Sequence, residues 1–183
     1  LTMKTILTFL SITILTISVN AQDLYAVTES EIKFHSDSPL EKIEAINKKT
    51  KSFFKISSKT LMFVIPVVSF KFEKPLMEEH FNENYLETEK FPTAKFSGTI
   101  NEELDYTKNG TYDASVTGKL TIHGVEQERS INGTITVKDS QLIFEGKFQI
   151  KLEDHDIDIP SIVVKNIAEV VDVTATLVYE PKK

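Results

Sequence analysis

Tyr112-Asp113-Ala114-Ser115-Val116-Thr117-Gly118-Lys119-Leu120-Thr121-Ile122-His123-Gly124-Val125 decides the reading of this chain. Up to Ile122 it alternates. Tyr112, Ala114, Val116, Gly118, Leu120 and Ile122 share one parity, while Asp113, Ser115, Thr117, Lys119 and Thr121 share the other. A period of two gives a strand with one apolar and one polar face. Eleven residues is long against the usual strand of about five or six. A long strand with one apolar face belongs to a curved sheet wrapped around an interior, filled either by side chains or by something else.

The same period recurs outward from this stretch. Ile32 and Phe34 alternate after Tyr25 and Val27, and Ile43, Ala45 and Phe53-Phe54-Lys55-Ile56 suggest a second, irregular strand. Leu61 to Phe72 is apolar on both parities and contains Pro66, where a bulge or a sheet edge is expected because proline cannot donate to a ladder. Ala94, Phe96, Gly98 and Ile100 form another set. Ile131, Ile135 and Val137 follow, then Leu142 to Leu152 and Val171 to Tyr179. Asn109-Gly110, His123-Gly124 and Lys138-Asp139-Ser140 are turn signals between them. Only Pro75–Tyr85 reads as a helix: Pro75 suits a first turn, and Leu76, Met77, His80, Phe81 and Leu86 approximate one face. Antiparallel strands in series with one helical excursion predict an all-β barrel or sandwich. Gly98, Gly118 and Gly146 lie on apolar parities, where glycine marks sharp bending or close approach of a ligand, and favour the closed barrel.

Residues 1–21 read as a secretory signal peptide and 22–183 as one domain. Lys4 precedes an apolar run of 14 residues, Ile6 to Val19, and Val19-Asn20-Ala21 supplies small residues at the cleavage positions. The run is short of the roughly 20 residues that span a bilayer. The expected location is therefore periplasmic or secreted. No lipoprotein anchor is expected, because the chain has no Cys. That absence also removes disulfides, thiol catalysis and thiolate metal sites. Removing residues 1–21 takes away Lys4 and moves the net charge from −6 to −7. Such a charge argues against nucleic acid and against electrostatic docking on anionic membranes.

Catalytic and metal motifs do not emerge. His35, His80, His123 and His155 lack the spacing of a zinc motif and read as turn, helix-face, turn and loop residues. Asp154, Asp156 and Asp158 begin like a calcium loop, but Ile159 and Lys165 stand where its Gly and Glu belong, so a solvated acidic loop is expected. No phosphate-binding glycine loop or nucleophile elbow occurs. No enzyme, metal or cofactor is expected. The chain is instead rich in Phe, with 12, and has no Trp. Most of these Phe lie in strand-like segments, which leaves two interiors open: a packed core, or an apolar tunnel in a barrel able to hold one ligand.

Several segments resemble one family. Phe91-Pro92-Thr93-Ala94-Lys95-Phe96 resembles its FP-x-A-x-F strand start. Val116 to Val125 resembles its V-x-G-x-LTIHGV signature. His80-Phe81 and Phe148-Gln149-Ile150 resemble its helix and its F-x-I strand. In order and spacing, from about Tyr25 to Tyr179, the chain is similar to the YceI family of exported, polyisoprenoid-binding, lipocalin-like proteins. Pro75–Tyr85, Ile159-Pro160 and Val164–Glu169 resemble its Bacteroidetes-type branch. Many members carry an Arg after the F-x-I strand, where this chain has Leu152. The resemblance implies an eight-stranded antiparallel lipocalin-like barrel with one short capping helix. It implies a tunnel for an isoprenoid or other long-chain lipid, such as a quinone tail, and a carrier or storage role. On that reading Phe34, Phe54, Phe63, Phe96, Val116, Leu120, Ile122, Phe144, Phe148 and Ile150 line the tunnel. The expected partner is a hydrophobic small-molecule lipid, with transient membrane contact and a homodimer as further expectations. The alternative is a filled barrel with a structural, interaction or stress-response role and no lipid.

Overall fold

The structure, a computed structural model, describes residues 23–160 and 166–182. The expected signal peptide and the Val164-Lys165 part of the branch resemblance lie outside the described residues. Ten strands follow one another: β1 (Leu24–Asp37), β2 (Lys42–Asn47), β3 (Lys51–Lys55), β4 (Thr60–Pro66), β5 (Lys71–Phe72), β6 (Thr93–Ile100), β7 (Gly110–Ile122), β8 (Val125–Lys138), β9 (Gln141–Lys151) and β10 (Val170–Pro181). Eight of them, in the order β1-β3-β4-β6-β7-β8-β9-β10, close on themselves through the β10–β1 pairing. All neighbours are antiparallel. Closure removes the free edges that a sheet would otherwise expose. β2 continues the β3 side of β1, and β5 adds a two-residue pairing to β2.

Local chemistry sets the register. Tyr25 and Val27 are odd and Ile32 and Phe34 even, and a bulge between Val27 and Glu29 in the β1–β10 ladder makes that switch. Strand β7 runs into β8 through His123-Gly124, with φ of 51° and 78°. Positive φ at both centres is the two-residue hairpin turn whose twist matches the strands. Asp139-Ser140, with φ of 49° and 70°, makes the corresponding turn between β8 and β9.

The inner glycines oppose one another across strands, Gly98 with Gly118 and Gly133 with Gly146. A Cβ on Gly118 would run into the Ser97 carbonyl and Gly98 Cα, and one on Gly133 into the Glu145 carbonyl. On Gly98 it would lie 2.7 Å from Phe96 Cζ, and on Gly146 2.9 Å from Phe144 Cζ. Bending and close strand approach thus account for one member of each pair. Above the other, the space is filled by the Phe96 ring with the Thr117 carbonyl at Gly98, and by the Phe144 ring with an Ile131 methyl at Gly146.

Three expectations need correction. The irregular second strand is two strands, β2 and β3, broken at Lys48–Thr50, where the Asn47 side chain takes up the turn by accepting from Lys49 N–H (2.8 Å) and donating to Pro66 O (2.8 Å). Pro66 marks neither a bulge nor an edge. It ends β4, paired with Thr93, and the chain turns into a 3₁₀ segment, Val67–Ser69. His35 lies within β1, opposite Glu44 and Asp172, and not in a turn. The helical excursion is as expected: α1 (Pro75–His80) with Pro75 in its first turn, continued by one π turn, Phe81–Tyr85.

Candidate ligand cavity

Inward side chains divide the barrel into two halves along its axis. In the half nearer α1 a cavity of about 340 Å³ remains. Its walls are Ile32 and Phe34 of β1, Leu120 and Ile122 of β7, Phe148 and Ile150 of β9, and Val171 and Val173 of β10. Ile65 and Ala94 add β4 and β6. Met77, His80, Phe81, Tyr85 and Leu86 cover it from the helical segment. An apolar residue in this face costs nothing in lost hydrogen bonds, whereas a buried polar one would need a partner.

The cover is held to the barrel by rings and by a polar tie to His123, itself anchored on the turn after β9. Phe81 packs on Phe34 (5.6 Å, stacked), Phe70 (5.7 Å) and Phe72 (4.9 Å). After the helix, Glu87 Oε2 lies 2.8 Å from His123 Nε2, and His123 Nδ1 lies 3.2 Å from the His155 carbonyl. The His123 ring sits edge-on to Phe91 at 4.5 Å. His123 is a turn residue, as its sequence context suggested, and also a fastener for the cover. Ser36, Glu41, His80, Tyr85 and Asn166 are the lining residues with polar groups among the described residues. Lys74 Nζ is 2.8 Å from Glu41 Oε1 and, with Asn166, holds that carboxyl below the ordinary range, with partial burial opposing them.

The other half is filled. Phe63 and Phe96 stack at 5.0 Å with ring planes 17° apart. Beyond them only about 10 Å³ remains, among Phe54, Leu61, Ile100, Ile135, Phe144 and their neighbours. Tyr106 caps this end, its ring 5.4 Å from Phe54 and its hydroxyl pKa pushed up to about 12 by burial and then by Glu103 and Glu102. Inside, the Tyr179 and Ser52 hydroxyls are 2.6 Å apart, and Ser52 donates to Met62 O at 2.7 Å.

The ten residues expected to line a tunnel therefore separate. Phe34, Leu120, Ile122, Phe148 and Ile150 face the cavity. Phe54 and Phe144 face the small residual space. Phe63, Phe96 and Val116 are buried in the packing and face neither. Tunnel and packed core, posed as alternatives, share one barrel. Sequence reasoning missed Phe70, Phe72, Val171 and Val173. The β10 pair had a signal, the closing alternation from Val171 to Tyr179. Phe70 and Phe72 had none, since parity is lost across the 3₁₀ turn. The apolar helix face was legible, but Leu76 is exposed and only the remainder covers the cavity.

The expected solvated acidic loop after β9 holds for Asp156 and Asp158, which are exposed, but not for the residues before them. Leu152–His155 is a 3₁₀ turn against the barrel. Asp154 pairs with Arg129 Nη2 at 2.6 Å and has its pKa lowered by it. His155 is fully buried, 3.2 Å from the Val125 carbonyl through Nδ1, and its Nε2 has no hydrogen-bond partner. Desolvation lowers its pKa. Leu152, where many relatives in the resemblance carry Arg, lines the cavity. Among the described residues no cluster of His, Asp and Glu is placed to hold a metal.

The family model of the YceI-like domain matches residues 25–179. Among solved structures, a polyisoprenoid-binding domain from Saccharophagus degradans superposes with a TM-score of 0.74 at 14% identity, covering 86% of this chain and 98% of that one. Burkholderia cenocepacia BcnA gives 0.68 at 20% identity, covering 81% and 95%. The Campylobacter jejuni YCEI protein gives 0.55 at 16% identity, covering 99% of each chain. At these identities the likeness is one of fold. None of the curated proteins matches the chain.

Proposed function

Because the chain belongs to the YceI-like domain family, we propose that it is an exported binding protein that holds the apolar chain of an isoprenoid or similar lipid inside its barrel, as carrier or store. The observation that carries this reading is the cavity of about 340 Å³, walled by apolar strand residues and covered by the Phe81 segment. Its volume is in the range of about 300–1,000 Å³ typical of ligand sites. The polyisoprenoid-binding domain of the same fold supports the ligand class. The lining supports binding, since most of its residues are apolar and its strand walls are Ile, Leu, Val, Ala and Phe apart from Ser36.

Energetics favour such a role for a protein that shuttles between membranes. At about 0.8 kcal/mol per buried methylene, each five-carbon unit gains roughly 4 kcal/mol on leaving water. Free ligand in water is then negligible, and tunnel competes with bilayer. Contact with a membrane is part of the proposal. Leu40, Val68, Leu76 and Val170 support it: all four are exposed, and each is the chain neighbour of a cavity-lining residue. Exposed Phe53, Met62 and Val64 on β3 and β4 support the homodimer in the same way.

The test is organic extraction of the purified protein, from cells and after incubation with a polyprenyl quinone, followed by mass spectrometry. Stoichiometric isoprenoid lipid is expected. Lipid-free extracts under both conditions would return the barrel to a structural role.

A further inference from the structure

The cavity ends halfway down the barrel, above a packed layer that contains Phe63, Phe96 and Phe144. Phe63 and Phe96 stack across β4 and β6. Phe96 lies over Gly98 and Phe144 over Gly146, so the inner-face positions without side chains, where a ligand could have threaded, are occupied by aromatic carbon. The space beyond, about 10 Å³, is at the lower limit for a single water. Tyr106 and the Tyr179–Ser52 hydrogen bond close the far end.

We propose that this floor makes the cavity a length gauge: it accepts roughly the terminal two to three isoprene units of an apolar chain and gives no further room to a longer tail. This rests on the isoprenoid reading above and adds to it which chains are preferred. The scale comes from volume. An apolar cavity of about 150 Å³ holds one benzene, so one of about 340 Å³ holds about 14 carbons at the same packing. Units past that limit stay outside and contribute nothing to binding. The packed layer beneath the cavity, in which the Phe96 and Phe144 rings fill the space over Gly98 and Gly146, sets the limit.

The experiment uses delipidated full-length protein and displacement of the fluorophore 1-aminoanthracene by all-trans isoprenols of increasing length, each below its solubility limit. The wall is worth about fourfold in affinity per buried methylene. Extension from two units to three should therefore tighten binding by at least about tenfold, allowing for incomplete burial. Extension from three to four and to five should change it less than about twofold. A steady gain through five units would overturn the gauge while leaving the isoprenoid reading intact. Failure of every isoprenol to displace the probe would overturn that reading and the gauge with it. Phe96→Ala should move the break to a longer chain, with Phe144→Ala as the second variant if the first does not fold. An unmoved break in a folded variant would remove the rings as its cause.

Discussion

Ser52 and Tyr179 share one hydrogen bond in the packed half, but the two hydroxyls are not equivalent. Ser52 also donates to Met62 O, whereas Tyr179 OH has Ser52 as its partner. Burial raises the Tyr179 pKa, with Ser52 opposing. Ser52→Ala strands a buried hydroxyl and should cost about 1–3 kcal/mol, whereas Tyr179→Phe leaves Ser52 satisfied and should cost about 1 kcal/mol. Urea midpoints measure both. His155 gives a pH effect of definite sign. Its folded pKa is below the ordinary value, so between about pH 6.5 and that lowered value the unfolded chain takes up a proton that the folded chain refuses. Stability is full above that window and falls as pH drops through it. Asp154, also lowered by its Arg129 partner, adds a separate loss at more acid pH. A urea midpoint that falls between pH 7.5 and 5.5 in the wild type but stays level in His155→Gln is the expected result. Neither effect was readable from sequence. Ser52 and Tyr179 are 127 positions apart, and His155 looked like part of a polar loop because its burial depends on where β8 turns.

At the scale of elements, the strands were legible and the leaning of their side chains was not. Period two told which face of β6, β7, β9 and β10 turns inward, since alternation survives any detail of packing. It could not tell that Phe96 and Phe144 fold over the glycines two positions on. That depends on a rotamer choice made by neighbouring strands. The same cause separated the ten expected lining residues into cavity, residual space and packing. Helix α1 was visible through Pro75, and its π continuation was not, because Phe81–Tyr85 has no composition that marks it. Gly98→Ala should cost about 1–3 kcal/mol by displacing Phe96. Gly133→Ala should cost more, because its Cβ would overlap the Glu145 carbonyl oxygen, whereas on Gly98 the nearest backbone atom, the Thr117 oxygen, is 2.8 Å away. Thermal melting ranks the two. Phe81→Ala removes a ring that touches three others. Phe81 is only partly buried, so the change should destabilise by about 1–3 kcal/mol and weaken ligand retention, read by lipid recovered per mole of protein.

For the molecule as a whole, binding and stability are one measurement. A ligand held only by the folded barrel adds about 4 kcal/mol at a thousand times its dissociation constant. Delipidated protein should therefore melt several degrees below the loaded form and recover on addition of a three-unit isoprenol. The number of barrel strands came from the resemblance; periodicity alone left barrel and sandwich open, because only the β10–β1 pairing distinguishes them and its partners stand at opposite ends of the chain. That seam has a practical meaning. Lys182 N–H donates to Leu24 O at 2.8 Å, and Tyr25 pairs with both Pro181 and Phe54 at the filled end. A tag or surface linkage at either end of the domain would hang the barrel by its sealed base, leaving the opening turned outward. A short peptide bridging these neighbours would permit circular permutants cut at Asp139-Ser140, so the domain could be immobilised or inserted into a host protein without obstructing its cavity.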